Sequence, residues 1–99
     1  MILKSELKEE GGKLVKTTLE VEENMILKAE IHGDFFLHPE EGIEEIERFF
    51  YGKKLTEENK NELIDGLKNL IKKKKMELFG LKVETIVEVL FKALESRQK

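Results

Sequence analysis

Residues 31–50 read IHGDFFLHPEEGIEEIERFF and contain Pro39, the only proline of the chain. The hydrophobic period changes across that proline. Upstream, apolar and polar residues alternate, whereas downstream Ile43, Ile46 and Phe50 recur at i, i+3 and i+7, along one helix face. Pro39 suits the first position of a helix, where its missing N–H costs nothing. Glu40 and Glu41 would then sit where the helix dipole favours anions, and Gly52 offers a stop. Strands therefore precede Pro39 and helices follow it.

Toward the N-terminus the alternation continues. Met25, Leu27, Ala29 and Ile31 form one face of a strand, and Lys28, Glu30 and His32 form the other. Glu23-Asn24 reads as a tight turn, since Asn tolerates the left-handed region well. In the strand before it, Val15, Thr17, Leu19 and Val21 alternate with Leu14, Lys16, Thr18 and Glu20. Gly11-Gly12 supplies an earlier turn, and Leu3, Ser5 and Leu7 oppose Ile2, Lys4, Glu6 and Lys8. Period two with one apolar face and two short turns predicts an antiparallel meander, packed on one side, ending near Leu37.

Toward the C-terminus, Thr56 can cap a helix carrying Leu63, Ile64, Leu67, Leu70 and Ile71. A third helix spans Val83 to Ser96 on Ile86, Val87, Leu90, Phe91 and Leu94, and Met76 to Leu81 reads as a connector pinned by Leu78 and Phe79. The expected fold is α+β: one domain over residues 1–99, a three-stranded antiparallel sheet followed by three helices packed on one face. Leu19, Ile31, Ile46, Leu67 and Leu90 should be buried.

The 99 residues include 18 Lys and Arg and 21 Asp and Glu, giving a formal net charge of −3. Charged residues reach 39% of the chain, against about 25% in an average domain. High density with balanced sign argues against a nucleic-acid or membrane binder that works through net charge. A surface dominated by Lys and Glu also hints at a thermophilic source. With no cysteine, a disulfide scaffold, a thiolate metal site and a cysteine nucleophile are all excluded. No apolar run reaches the ~18 residues of a membrane span and no signal-peptide pattern opens the chain, so the expected location is the cytoplasm. Two His, one Tyr and no Trp leave little catalytic equipment. A self-sufficient enzyme is the weaker reading.

Four features invite a functional reading. His32 and Asp34 share a strand face, and His38 could join them around a divalent ion; the plainer reading is a solvent-facing His, a strand-end Asp and a His before a helix. The run Lys72 to Lys75 could follow phosphates, but it closes the second helix, where lysine suits the negative end of the dipole. Gly11-Gly12-Lys13 joins two strands, so it is a hairpin rather than a nucleotide loop. Lys13 would project from its tip toward a partner. Finally, Phe35 and Phe36 are adjacent and must point to opposite faces. Phe35 keeps the parity of Ile31 and should enter the core, while Phe36 points out and suggests an interface.

The last two features together carry a family resemblance. Gly-Gly-Lys-Leu-Val at 11–15, then Gly-Asp-Phe-Phe-Leu-His-Pro-Glu-Glu at 33–41 leading into Ile-Glu-Glu-Ile-Glu at 43–47, resembles the C-terminal accessory domain of lipoate–protein ligases. The resemblance runs from the first strand to the last helix. At Leu81-Lys82-Val83-Glu84 this chain departs from the family, which more often opens the last helix with a Ser-Pro pair. In that family a catalytic domain makes lipoyl-adenylate from lipoate and ATP and transfers the acyl group to a carrier lysine. Its glycine-rich arginine motif and its catalytic lysine motif have no counterpart in these 99 residues.

Some ligases of the family are split into two chains, and this sequence looks like the small one. The resemblance then implies an accessory subunit that binds the catalytic subunit and supports adenylation, with no catalytic residue of its own. Lipoate, ATP and Mg²⁺ belong to the complex, and lipoyl carrier proteins are met indirectly. The partner-facing residues implied are Gly11, Gly12, Lys13, Gly33, Asp34, Phe36 and His38. The alternative is a free-standing α+β domain that binds another protein or RNA through the outer sheet face. A small metal-dependent enzyme built on His32, Asp34 and His38 is the third.

Overall fold

The computed structural model describes residues 1–11 and 13–96. Three strands, β1 (Ile2–Lys8), β2 (Leu14–Glu22) and β3 (Met25–Gly33), form an antiparallel meander in the order β1-β2-β3. Its register sets Leu3 opposite Leu19, Leu19 opposite Ala29, and Thr17 opposite Ile31. Those residues, with Val15 and Val21, make one continuous buried face. Thr17 is polar within it, and its hydroxyl donates to the Glu30 carbonyl at 2.8 Å. The β2–β3 turn takes two left-handed residues, Glu23 (φ 51°) and Asn24 (φ 69°), which matches the twist of a two-residue hairpin.

One expected parity is overturned in β3. Pairing slips between Glu20 and Val21, so that Glu20 faces Lys28 but Val21 faces Ile26. Leu27 is the extra residue of this bulge, and one residue of slip exchanges the faces. Ile26 therefore enters the core, while Leu27 is 43% exposed.

Helices cover the buried face. β4 (Phe36–His38) leads into α1 (Gly42–Phe49), which packs on β3 through Ile46 and is followed by the buried Phe50. Expected to open at Pro39, the helix instead opens at Gly42. Pro39 first closes a turn, its carbonyl accepting from Gly42 N–H at 2.9 Å. Gly42 then passes Met76 so closely that a Cβ there would lie 2.8 Å from its sulfur. The end of α1 is joined to the outer edge of β3. Ile26 N–H donates to the Lys53 carbonyl at 2.9 Å, and Ile31 N–H donates to the Glu47 carboxylate at 2.8 Å.

Thr56 caps as expected, but the cap serves a single 3₁₀ turn, Glu57–Asn59, ahead of α2 (Lys60–Lys73). Its hydroxyl accepts from Asn59 N–H at 3.2 Å, and the Asn59 side chain accepts from Thr56 N–H at 3.0 Å. The segment read as a connector contains a further strand, β5 (Glu77–Phe79), paired antiparallel with β4 in a separate ribbon. Then α3 (Val83–Ser96) lies across β1 and β2, burying Ile86, Val87, Leu90, Phe91 and Leu94, with α2 packed behind it. Leu19, Ile31, Ile46, Leu67 and Leu90 are all buried. The fold is the expected α+β arrangement, three strands followed by three helices on one face. Among the described residues no helix is long and apolar enough to cross a membrane.

Candidate functional site

The end of β3 is brought against the β1–β2 hairpin by a glycine. Gly33 pairs with Val15, and Asp34 N–H donates to the Leu14 carbonyl at 2.8 Å. A Cβ at Gly33 would stand 2.1 Å from the Leu14 carbonyl oxygen, so only glycine fits this approach. From there the chain enters the β4–β5 ribbon. Register sets Phe36 opposite Phe79, Leu37 opposite Leu78, and His38 opposite Glu77. Leu37 is buried and Leu78 half-buried, so Phe36, His38, Glu77 and Phe79 share the outward face.

Gly80 (φ +86°) turns the chain after β5, and it does so between two of the expected site residues. A side chain there would meet the aliphatic stem of Lys13 at 3.6 Å and the Asp34 carbonyl at 3.7 Å. Gly11, Lys13, Gly33, Asp34, Phe35 and Phe36 consequently line one shallow depression that opens to solvent. Phe35 packs against the core, Phe36 is 73% exposed, and Lys13 and Asp34 are exposed. Of the residues implied as partner-facing, Gly11, Lys13, Gly33, Asp34 and Phe36 are thus gathered on one surface. His38 lies two residues further along the ribbon, outside the depression. Gly12 lies outside the described residues.

The three candidate metal ligands are not gathered. His32 sits opposite Lys16 on the outer sheet face, in a hollow lined by Lys4, Glu6 and Thr18, whereas Asp34 lies beside the hairpin tip and His38 faces Glu77. Among the described residues no group of three or more His, Asp or Glu is placed to hold a metal ion. Lys72 and Lys73 end α2, and Lys74 reaches Glu45 at 3.7 Å, so the run is a solvated helix terminus with one loose ion pair. The clearest shift in ionisation lies away from the depression, between α2 and α3. A hydrogen bond from Lys68 at 2.9 Å holds the Glu84 carboxyl below its ordinary range and raises Lys68 in turn.

Two residues escaped the sequence reading. Phe79, expected to pin the connector, is 52% exposed beside Phe36. Three residues of alternation were too short a signal. Glu9, at the end of the hairpin arm, accepts from Lys82 N–H at 3.1 Å and from the Thr85 hydroxyl. Its carboxylate, from a distant part of the chain, thus lies at the N-terminal end of α3, where the helix dipole favours an anion. No local sequence signal reports such a contact.

Residues 4–90 match the family model described as the bacterial lipoate protein ligase C-terminus. Among solved structures, the chain is similar to one from an archaeal lipoylation system, a bi-partite lipoate protein ligase and its E2 lipoyl domain from Thermoplasma acidophilum. That similarity has a TM-score of 0.73 at 27% sequence identity, and covers 91% of this chain and 94% of the other. No curated protein matches the chain.

Proposed function

The chain belongs to the lipoate protein ligase C-terminal family, and from that premise we propose that it serves as the accessory subunit of a lipoate–protein ligase. It binds the catalytic chain as a heterodimer in the cytoplasm and enables ATP-dependent formation of lipoyl-adenylate for protein lipoylation. The observation that carries this reading is the family match over residues 4–90. The likeness to a chain from a bi-partite ligase supports the division into two subunits.

In this reading lipoate, ATP and Mg²⁺ are held by the catalytic chain, and lipoyl carriers are reached through it. This chain supplies shape and a docking surface rather than a reacting group. Docking uses the depression at the hairpin tip, with Gly11, Lys13, Gly33, Asp34 and Phe36, and His38 at its margin; Gly12, also implied by the resemblance, lies outside the described residues. The mechanism supposes that the adenylate-binding loops of the catalytic chain are poorly ordered when it is alone. A rigid domain that contacts only their competent arrangement shifts the population toward it. The effect accordingly falls on adenylation.

Reconstitution tests the reading. The two purified chains are assayed separately and together with lipoate, ATP, Mg²⁺ and a lipoyl carrier domain. Lipoylation is expected only in the mixture. Full activity of the catalytic chain alone, or ATP consumption by this chain alone, contradicts it.

A further inference from the structure

Outward-facing residues of the three-stranded sheet are mostly charged or polar, at Lys4, Lys16, Thr18, Lys28 and Glu30, as expected of a solvated face, with Ile2 and Leu27 as exposed apolar exceptions that do not pair with each other. The β4–β5 ribbon breaks that pattern. Two phenylalanines, 73% and 52% exposed, stand directly opposite one another on its outward face. Paired aromatics on adjacent strands form one contiguous apolar patch, where a single exposed ring would mean little. The patch has a charged rim. Lys13 and Asp34 are exposed next to Phe36, carry opposite signs, and are spaced by Gly80, the residue that follows Phe79.

From this arrangement we infer that Phe36 and Phe79 together are the apolar anchor of the subunit interface, seated in a pocket of the catalytic ligase chain. A carboxylate of that chain meets Lys13, and one of its basic groups meets Asp34. The inference rests on the accessory-subunit reading and deepens it by assigning the recognition chemistry and adding Phe79.

The occupant follows from complementarity. An apolar centre ringed by charges is the anatomy of a protein–protein hot spot, in which aromatics give affinity and a polar rim excludes water. A rim with the cation Lys13 and the carboxylates Asp34 and Glu77 fixes orientation, because a partner turned end for end would oppose like charges. A polyanion such as RNA would meet Asp34 unfavourably. A lipid surface would gain no more from Lys13 than it loses to Asp34. A second copy of this chain is disfavoured unless the two patches meet antiparallel, with Lys13 of each on Asp34 of the other.

The test compares the unmodified chain with the double variant Phe36→Ser, Phe79→Ser, titrated calorimetrically against the catalytic ligase chain of the same organism. Both residues are exposed, so the double variant should melt within a few degrees of the parent. Its affinity should fall about 30-fold or more, the loss typical of a hot spot. The control Ile2→Ser, Leu27→Ser removes exposed apolar side chains from elsewhere and should bind within about twofold of the parent. Independently of any variant, hydrogen exchange on the unmodified complex should show new protection at residues 33–38 and 77–80.

Equal binding by the parent and the Phe double variant overturns the anchor while leaving the accessory reading intact. Protection that misses both segments does the same. A homodimer by light scattering, dissociated by the Phe substitutions but not by the catalytic chain, assigns the patch to self-association and overturns the inference. If the unmodified chain fails to bind the catalytic chain at all, the accessory reading falls and the anchor with it.

Discussion

In the three-stranded sheet, alternation places Leu19, Ala29 and Ile31 beneath the helices and leaves Lys16, Thr18 and Glu30 outward. In the β4–β5 ribbon the inward residues are again apolar, Leu37 and Leu78, but the outward pair at one end is Phe36 and Phe79. The same local rule has thus produced a layer for folding and a surface with no folding partner. What separates them is cover: α1 and α3 lie over the sheet's apolar face, and no element of the described residues lies over the ribbon's aromatic pair. In the proposed reading, stability and recognition therefore occupy different sheets.

That separation makes quantitative predictions. Leu19→Ala removes a fully buried side chain and should cost about 3–5 kcal/mol, a large part of the stability of a 99-residue domain. Its melting temperature should drop by more than about 10 °C. Phe36→Ala should cost under about 0.5 kcal/mol despite deleting a larger side chain. Comparable losses in calorimetric melts of the two variants would break the comparison.

A smaller effect is expected at Glu47. Its carboxylate is the acceptor for Ile31 N–H on the outer edge of β3, and Glu47→Ala leaves that amide without its partner. The expected cost is about 1–3 kcal/mol, with faster hydrogen exchange at the Ile31 amide. An unchanged exchange rate would show that water replaces the carboxylate freely and that α1 holds the edge by packing alone.

Lys13→Ala probes the other side. Its melting temperature should stay within a few degrees of the parent, since exposed substitutions cost under about 0.5 kcal/mol. Binding to the catalytic chain should weaken and lose part of its salt dependence. Early melting would instead make the Lys13 stem, packed beside Gly80, a structural element.

The smallest effect concerns the exposed Lys68–Glu84 pair. The hydrogen bond from Lys68 lowers the Glu84 carboxyl, so this contribution is complete above the ordinary carboxylate range and disappears as pH falls through the lowered value. Lys68 is raised, so its share is complete below the ordinary lysine range and disappears as pH rises through the raised value. Lys68→Met should therefore be near-silent at neutral pH, and the melts of parent and variant should converge further on acidification. Divergence in acid would contradict the assignment.

The sequence made the covered layer legible because its signals are local. Alternation around Leu19 and Ile31, and helical spacing around Ile46, Leu67 and Leu90, all follow from periods of two and 3.6. The opposite facings of Phe35 and Phe36 and the exposure of Asp34 followed from the same parity, and the exposure of Lys13 from its place at the hairpin tip. The bulge at Leu27 was illegible because it depends on how β3 registers with β2. So was β5, three residues long, whose partner Phe36–His38 lies some forty residues earlier. Glu9 reaches Lys82 and Thr85 only because the hairpin arm returns beside α3. Phe79 was missed for that reason too, since its outward aim is decided by pairing with Phe36.

In the proposed function this chain acts on the adenylation step of a partner. The most direct measurement is single-turnover formation of lipoyl-adenylate by the catalytic chain with and without this one, alongside transfer from preformed lipoyl-adenylate to the carrier. Adenylate should accumulate only when both chains are present, while transfer from preformed adenylate should change far less. Full-rate adenylate formation by the catalytic chain alone, or a dependence confined to transfer, would contradict it.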